Sequence, residues 1–293
     1  MARFNLKKFS LFNCLNAVLL TLLSVLTLYP FWYVIMASLT TDTEAARDIF
    51  FLLPVKPSLS AYKMVFSTSS ILTAYRNTLF VTTVGTALSL VLTALTAYPL
   101  SRRRLRGGKI LTLLIYFTML FSGGMIPTFL VVKSLGLYDS LWALILPKAV
   151  TVYNLLLMLS FFKSIPESLE ESASIEGAND LMILFQIIIP LSMPIFATMI
   201  LFYAVAYWNA WFDAVLYISK STRYPLQLVL REIVQQVDLS YVGGGGSDVT
   251  MSDMTIQSVR MATIVVAILP IMVVYPFLQK YFVKGVMIGA VKA

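Results

Sequence analysis

The sequence predicts an all-α membrane protein with six transmembrane helices, and three observations carry that expectation. Of 293 residues, 59% are hydrophobic and 12% charged, roughly half the charged share of an ordinary soluble domain. Mean hydropathy is +0.84. Six separate stretches reach the roughly 20 apolar residues that a helix needs to cross the hydrocarbon layer. Spans at 12–38, 76–100, 110–132, 142–162, 192–218 and 257–282 use most of the chain and leave no room for a separate soluble catalytic domain.

Taken in order, the first span follows Arg3, Lys7 and Lys8, the layout of a signal peptide. Its apolar run is too long for one, so it reads as an uncleaved span. Residues 39–75 carry Pro54 and Pro57 among mixed polarity, which suggests a partly ordered excursion. Between spans 2 and 3, "RRRLRGGK" (102–109) is the tightest basic cluster, which the positive-inside rule places in the cytoplasm. Counting crossings from there puts both termini and residues 163–190 in the cytoplasm, and residues 39–75, 133–141 and 219–256 outside. The last outer segment contains an amphipathic run, "LQLVLREIVQQV", and then "GGGGS" (243–247), a flexible break without the flanking strand and Lys-Ser/Thr of a phosphate loop.

A formal net charge of +8 does not point to nucleic acid, because the basic loop lacks interleaved aromatics and is too short to form a groove. With one cysteine and no histidine, an intrachain disulfide is excluded, and neither a zinc site nor a histidine-based catalytic triad is expected. Cys14, between Phe12, Leu15 and Val18, reads as a small packing residue.

The densest acidic stretch, "EESASIEGANDLMILFQIIIP" (170–190), is anomalous in an oily, basic chain. Upstream, Ser164 and Glu167 have the spacing of a capping box, with Pro166 in the first turn. Gly177 suits a left-handed helix end, and Asn179 or Asp180 can cap a second helix running to Pro190. On the first helix, Ile165, Leu169 and Ala173 fall on one face, an apolar ridge edged by carboxylates and sized for a groove on another protein. The plainer reading is that the glutamates only solvate a loop.

Residues 171–190 resemble the EAA loop of permease subunits of ATP-binding cassette (ABC) importers, whose pattern is E-A-A, three residues, G, nine residues, I-x-L-P. Glu171-Ser172-Ala173, Gly177 and Ile187-Ile188-Ile189-Pro190 keep every interval, departing only at Ser172 and Ile189. "AYPLSRRRLRGGK", "YRNTLFVT" (75–82), "YWNAWFDAVLYIS" (207–219) and "GVMIGAVKA" are similar to stretches of sugar permeases of the maltose-permease class. The ending "KYFVKGVMIGAVK" is most like permeases for complex oligosaccharides, including alginate and rhamnogalacturonan importers.

That resemblance implies a type I ABC importer permease fold in the bacterial inner membrane. Residues 1–75 would form an N-terminal span and outer loop, 76–283 the core with its coupling loop at 163–190, and 284–293 a cytoplasmic tail. It implies a homologous second permease, two ATPase subunits, an extracytoplasmic sugar-binding protein and surrounding membrane lipid. ATP and magnesium would be bound by the ATPases, with no cofactor, metal or catalytic residue in this chain. Glu170, Glu171, Ser172, Ala173, Gly177, Ile187 and Pro190 would form the docking loop, with Glu171 paired to a basic groove residue. The substrate would be an oligosaccharide, with acidic ones such as alginate fragments favoured by the subgroup.

A sugar path needs aromatic faces and hydrogen-bonding groups, and the spans offer Tyr153, Asn154, Tyr203, Tyr207, Trp208, Asn209 and Trp211. Tyr203, Tyr207 and Trp211 are spaced to share a face. Trp208 and Trp211 equally suit an interfacial belt, and Asn154 equally suits helix–helix bonding. The competing reading, an ion-coupled secondary transporter or channel, predicts central charges or inverted repeats. Arg76, Lys133, Lys148, Asp213 and Arg260 all fall near span ends instead. An intramembrane enzyme would need a catalytic cluster that the spans lack.

Overall fold

Where water is excluded, only a helix satisfies every backbone N–H and C=O within its own segment, so long apolar runs become helices. A computed structural model describes residues 11–40, 52–54, 57–67, 69–121, 123–242, 257–274 and 276. Arg3, Lys7, Lys8, the 243–247 glycine tract and the 284–293 tail lie outside these. The helices are α1 (Leu11–Ser38), α2 (Ser60–Ser67), α3 (Ser69–Ser101), α4 (Gly108–Leu120), α5 (Met125–Ser134) and α6 (Trp142–Lys148). They continue with α7 (Val152–Lys163), α8 (Ser168–Ile175), α9 (Asp180–Leu191), α10 (Met193–Trp208), α11 (Trp211–Tyr217), α12 (Leu226–Val242) and α13 (Gln257–Val274). Among the described residues, extended pairing is limited to one isolated bridge, Thr40 with Pro57.

Helices α1, α3 and α13 are long and apolar enough to span alone. Three bent pairs, α4 with α5, α6 with α7 and α9 with α10, bring the number to six if each is one span. The unbroken spans expected at 110–132 and 142–162 are therefore interrupted, and the third pair starts at Asp180, ahead of the span expected at 192–218. Gly124, at φ 87°, separates α4 from α5. Residues 149–151, ending in the extended Thr151, separate α6 from α7, which meet at 50°. A short break at Asn209 and Ala210 ends α10 before α11. Trp211 is consequently not one turn on from Tyr207 along a continuous helix.

The chain divides into two units, Met1–Thr68 with Asp238–Val266, and Ser69–Val237 with Ala267–Ala293. In the first, α1 is bare from Phe12 to Leu28. Cys14 is accordingly exposed, not packed, because none of the unit's described residues covers that stretch. The excursion after α1 folds back by polar contacts. The Trp32 indole donates to the Leu52 carbonyl at 2.8 Å, and the Ser38 and Tyr62 hydroxyls meet at 2.6 Å.

The second unit is organised around α3, whose 33 residues extend about 50 Å at 1.5 Å per residue, well beyond the roughly 30 Å hydrocarbon core. Its buried residues include Val81, Gly85, Ser89, Thr93 and Ala97, four apart, a stripe narrow enough for close approach by another helix. Against it α10 lays Tyr203 and Tyr207, 1% and 3% exposed. A Cβ on Gly85 would lie 2.8 Å from the Tyr207 ring, so only glycine fits there without displacement.

Both tyrosines also repair the break between α6 and α7. The Tyr207 hydroxyl donates to the Ile145 carbonyl at 3.1 Å, and, having spent its one proton there, accepts from Ser89 at 2.8 Å. The Tyr203 hydroxyl accepts from the Thr151 amide at 3.4 Å and bonds Thr93 at 2.7 Å. Ile145 and Thr151 flank the break, where a regular helix would have bonded them internally.

At the opposite end from Arg102, Asp139 adopts φ 57°, and its carboxylate accepts from the Lys220 and Ser219 amides at 3.0 and 3.1 Å. The Lys220 amide bond, aided by the Ser219 amide and the Arg223 and Lys220 charges, holds the Asp139 carboxyl below its ordinary value against partial desolvation. This carboxylate pins the turn after α11 to the loop before α6.

Tyr207→Phe is expected to lower stability by about 1–3 kcal/mol, the range for leaving a buried acceptor unsatisfied. Asn209→Ala, at an exposed position, should stay within about 0.5 kcal/mol. Thermal unfolding in mild detergent measures both, and equal stabilities would remove the bracing role of Tyr207.

Candidate functional site

After α3 the backbone continues through tight turns, with the amides of Arg102, Leu105 and Gly108 donating to carbonyls three residues earlier. These turns aim three successive arginines at the acidic segment. Arg102 pairs with Glu170, Arg103 with Glu167 at 3.6 Å, and Arg104 with Asp180. The basic and acidic loops, 60 and more residues apart, are thus one structure.

The three pairs are unequal. Arg102 is 6% exposed and Glu170 8%. Its guanidinium lies 5.1 Å from the Tyr98 ring centroid, and the Tyr98 hydroxyl donates to Glu170 at 3.4 Å. Burial pushes the Glu170 carboxyl above its ordinary value, while the Arg102 and Arg104 charges and the Tyr98 hydroxyl pull it back. The Arg103 and Arg104 pairs are largely in contact with solvent and contribute at most about 1 kcal/mol each.

Helix α8 ends in a Schellman turn. The Ala178 amide donates to the Ala173 carbonyl at 3.0 Å and the Gly177 amide to Ser174 at 3.1 Å, with Gly177 at φ 88°. Asn179 then caps α9, accepting from the Met182 amide at 2.8 Å. The capping box expected at Ser164 does not form: that hydroxyl donates back to the Phe161 carbonyl at 2.6 Å, terminating α7, and α8 starts only at Ser168. A π-helical turn, Leu184–Ile188, precedes Pro190, and α9 meets α10 at 85° across Ser192.

Exposure sorts the loop residues. Glu171, Ser172, Gly177 and Pro190 are exposed and Ile187 half-buried, whereas Glu170 and Ala173 face this chain's own interior. The apolar ridge expected from Ile165, Leu169 and Ala173 is mostly spent internally, since Ile165 and Ala173 are each 8% exposed. Leu169 remains outward, joined by Ile175 at 87%. The sequence reading missed Ile175 although it lies four residues from Glu171. It also missed the arginines as partners, although basic and acidic clusters assigned to one side of a membrane were signal enough.

Residues 85–288 match the family described as binding-protein-dependent transport system inner membrane component. This chain belongs to that family. The permease is 50% identical over 287 residues to the polygalacturonan/rhamnogalacturonan transport system permease protein of Bacillus subtilis (strain 168), covering 96% of this chain and 98% of that one. It is 46% identical to protein LplC of the same strain, covering 98% and 97%. Its fold matches a crystal structure of a bacterial ABC transporter involved in import of the acidic polysaccharide alginate. There the TM-score is 0.84 at 35% identity, over 96% of this chain and 100% of the other. The chain is therefore the inner-membrane permease component of an ABC importer, not an enzyme.

The permease does not gather the aromatic candidates into one cluster. Tyr203 and Tyr207 brace the α6–α7 break, and Asn154 is 6% exposed. Trp208 is buried and donates to the Ala267 carbonyl at 3.1 Å. Trp211 lies under the Arg231 guanidinium, 3.8 Å from its ring centroid. Tyr153 and Asn209 are exposed. Lys148 and Asp213, placed by the sequence near span ends, pair with each other beside a cavity.

Arg102→Met leaves the buried Glu170 without its counter-charge and should destabilise the permease by about 3–5 kcal/mol near neutral pH. Because the folded-state value of Glu170 is raised, the native state binds more protons than the unfolded one. Stability of this variant is therefore greatest in acid and falls as pH rises through that value. Melting curves taken upward from acid pH should show the fall in Arg102→Met and its absence in Arg102→Met/Glu170→Leu. A single variant as stable as wild type would end the anchoring assignment.

Proposed function

We propose that this permease moves a complex oligosaccharide across the inner membrane, and that α8 with its Schellman turn is the contact through which a separate ATPase subunit drives it. The observation that carries the proposal is the division of labour among the carboxylates. Glu167, Glu170 and Asp180 are held by the chain's own arginines, while Glu171 and Glu176 are exposed without an ion pair among the described residues. Glu171, Ser172 and Ile175 form the outward face, an apolar side chain beside a free carboxylate, suited to a groove with a basic rim. Gly177 sets the angle at which that face leaves α9.

The basic loop and α8 lie on the cytoplasmic side, as do both termini. Residues 76–283 form the transport core and 1–75 an accessory span with its outer loop. A second, homologous permease, two ATPase subunits carrying ATP and magnesium, and an extracytoplasmic binding protein complete the importer. The pectin-type name of one relative and the alginate title of the structural neighbour favour an acidic oligosaccharide. Tyr153 and Asn209, the exposed candidates, line its path, with buried neighbours shaping the wall.

Expression with the genomically neighbouring transport genes, extraction in mild detergent and affinity purification on this chain tests the contact. Glu171→Lys should insert normally yet weaken ATPase retention about tenfold or more, the scale for reversing one charge at a desolvated contact. Gly177→Val should do the same, since a β-branched residue resists φ 88°. If the reversed-charge complex holds its ATPase and imports at the wild-type rate, α8 is a solvated loop and the proposal fails.

A further inference from the structure

Beneath the arginine turns lies a cavity of about 670 Å³ lined by Leu100, Ser101, Leu105, Gly108 and Thr112 together with Arg102, Arg103, Lys109 and Lys163. Four cations from three elements line it, and no carboxylate does. Two of the four are already committed, Arg102 to Glu170 and Arg103 to Glu167, whose carboxylates lie outside the lining. Lys109 and Lys163 have no ion pair among the described residues and leave the cavity with a net positive charge. The guanidinium of Arg102, 6% exposed, carries a buried Nε–H that meets no acceptor among the described residues. Such an arrangement recruits an oxyanion that offers several acceptor oxygens.

Position selects among oxyanions. The cavity lies where the ends of α3 and α7 and the start of α4 converge, and the ends of helices that cross a bilayer fall near its headgroups. From it α4 runs on with none of its residues buried, and Ile110 and Leu113 are 66% and 68% exposed. A phosphate held in the cavity can therefore keep its acyl chains along a bare apolar helix. We infer that this cavity binds the phosphodiester headgroup of an anionic phospholipid, gripped by Lys109, Lys163 and Arg103 around Arg102. Because Arg102 and Arg103 also hold Glu170 and Glu167, an occupied cavity adds a second anion to the arginines that position α8.

The assembled importer, reconstituted in nanodiscs of phosphatidylcholine alone or mixed with phosphatidylglycerol, is released and weighed by native mass spectrometry. Wild type should retain phosphatidylglycerol in preference to phosphatidylcholine. Lys109→Gln/Lys163→Gln should retain about tenfold less or lower still, and Lys109→Arg/Lys163→Arg should restore retention. Arg106→Gln, exposed and outside the lining, should retain as much as wild type. Equal losses in Arg106→Gln and the double lysine variant would mean diffuse surface attraction and overturn the site, as would indifference of wild type to headgroup charge. Inorganic phosphate titrated calorimetrically into the phosphatidylcholine preparation supplies the other arm. Saturable phosphate binding that needs both lysines, without phosphatidylglycerol retention, would reassign the cavity to a soluble anion and overturn the lipid assignment.

Discussion

The buried pair between Arg102 and Glu170 is the constraint on which the presentation of α8 depends. A helix of eight residues is below the roughly 12–15 that make an isolated helix even marginal in water, so α8 needs an anchor from outside itself. Two of the three arginine contacts along this segment, to Glu167 just before α8 and to Asp180 on α9, are too exposed to hold it. The third is desolvated, shielded by the Tyr98 ring and hydroxyl, and strongly asymmetric: intact it need add little to stability, whereas removal of either partner strands a charge. Glu170 and Glu171 are adjacent in sequence and opposite in role, because one faces this chain and the other faces away.

Farther into the bundle, the same problem of stranded polar groups is met with neutral partners. The α6–α7 break frees a carbonyl and an amide in apolar surroundings, where unpaired backbone groups are heavily penalised. Tyr203 and Tyr207 reach them only because the stripe on α3 is small enough for α10 to come close. Glycine at position 85, serine at 89 and threonine at 93 thus serve the break on a third helix. Two of the polar side chains that sequence logic offers to a sugar, Tyr203 and Tyr207, are occupied in holding the scaffold.

The helical class was legible, and so was the count of six spans if each bent pair is one span, because apolar length is a one-dimensional property; so was the EAA spacing, which needs only intervals. Gly177 and Asn179 were legible too, since each acts within four residues of itself. Ser164 was misread because a hydroxyl at the end of one helix can bond backward as well as forward, and the preceding carbonyl won. Breaks in three spans were hidden because Gly, Pro and Asn are tolerated in membrane helices, and only the tyrosines' cross-helix bonds make one of those breaks affordable. The aromatic candidates were grouped by periodicity along α10, a pattern that is the same whether the face meets substrate or another helix.

The three-arginine turn has a consequence for inheritance. Residues 102–104 and 167–180 meet through three ion pairs across more than 60 positions of chain, so they form one heritable character encoded in two places. A recombination that exchanges the acidic segment alone brings in carboxylates matched to another protein's arginines. Descendants of this permease would then be expected to diverge at the two segments in concert, with the spans between them free to drift at their own pace.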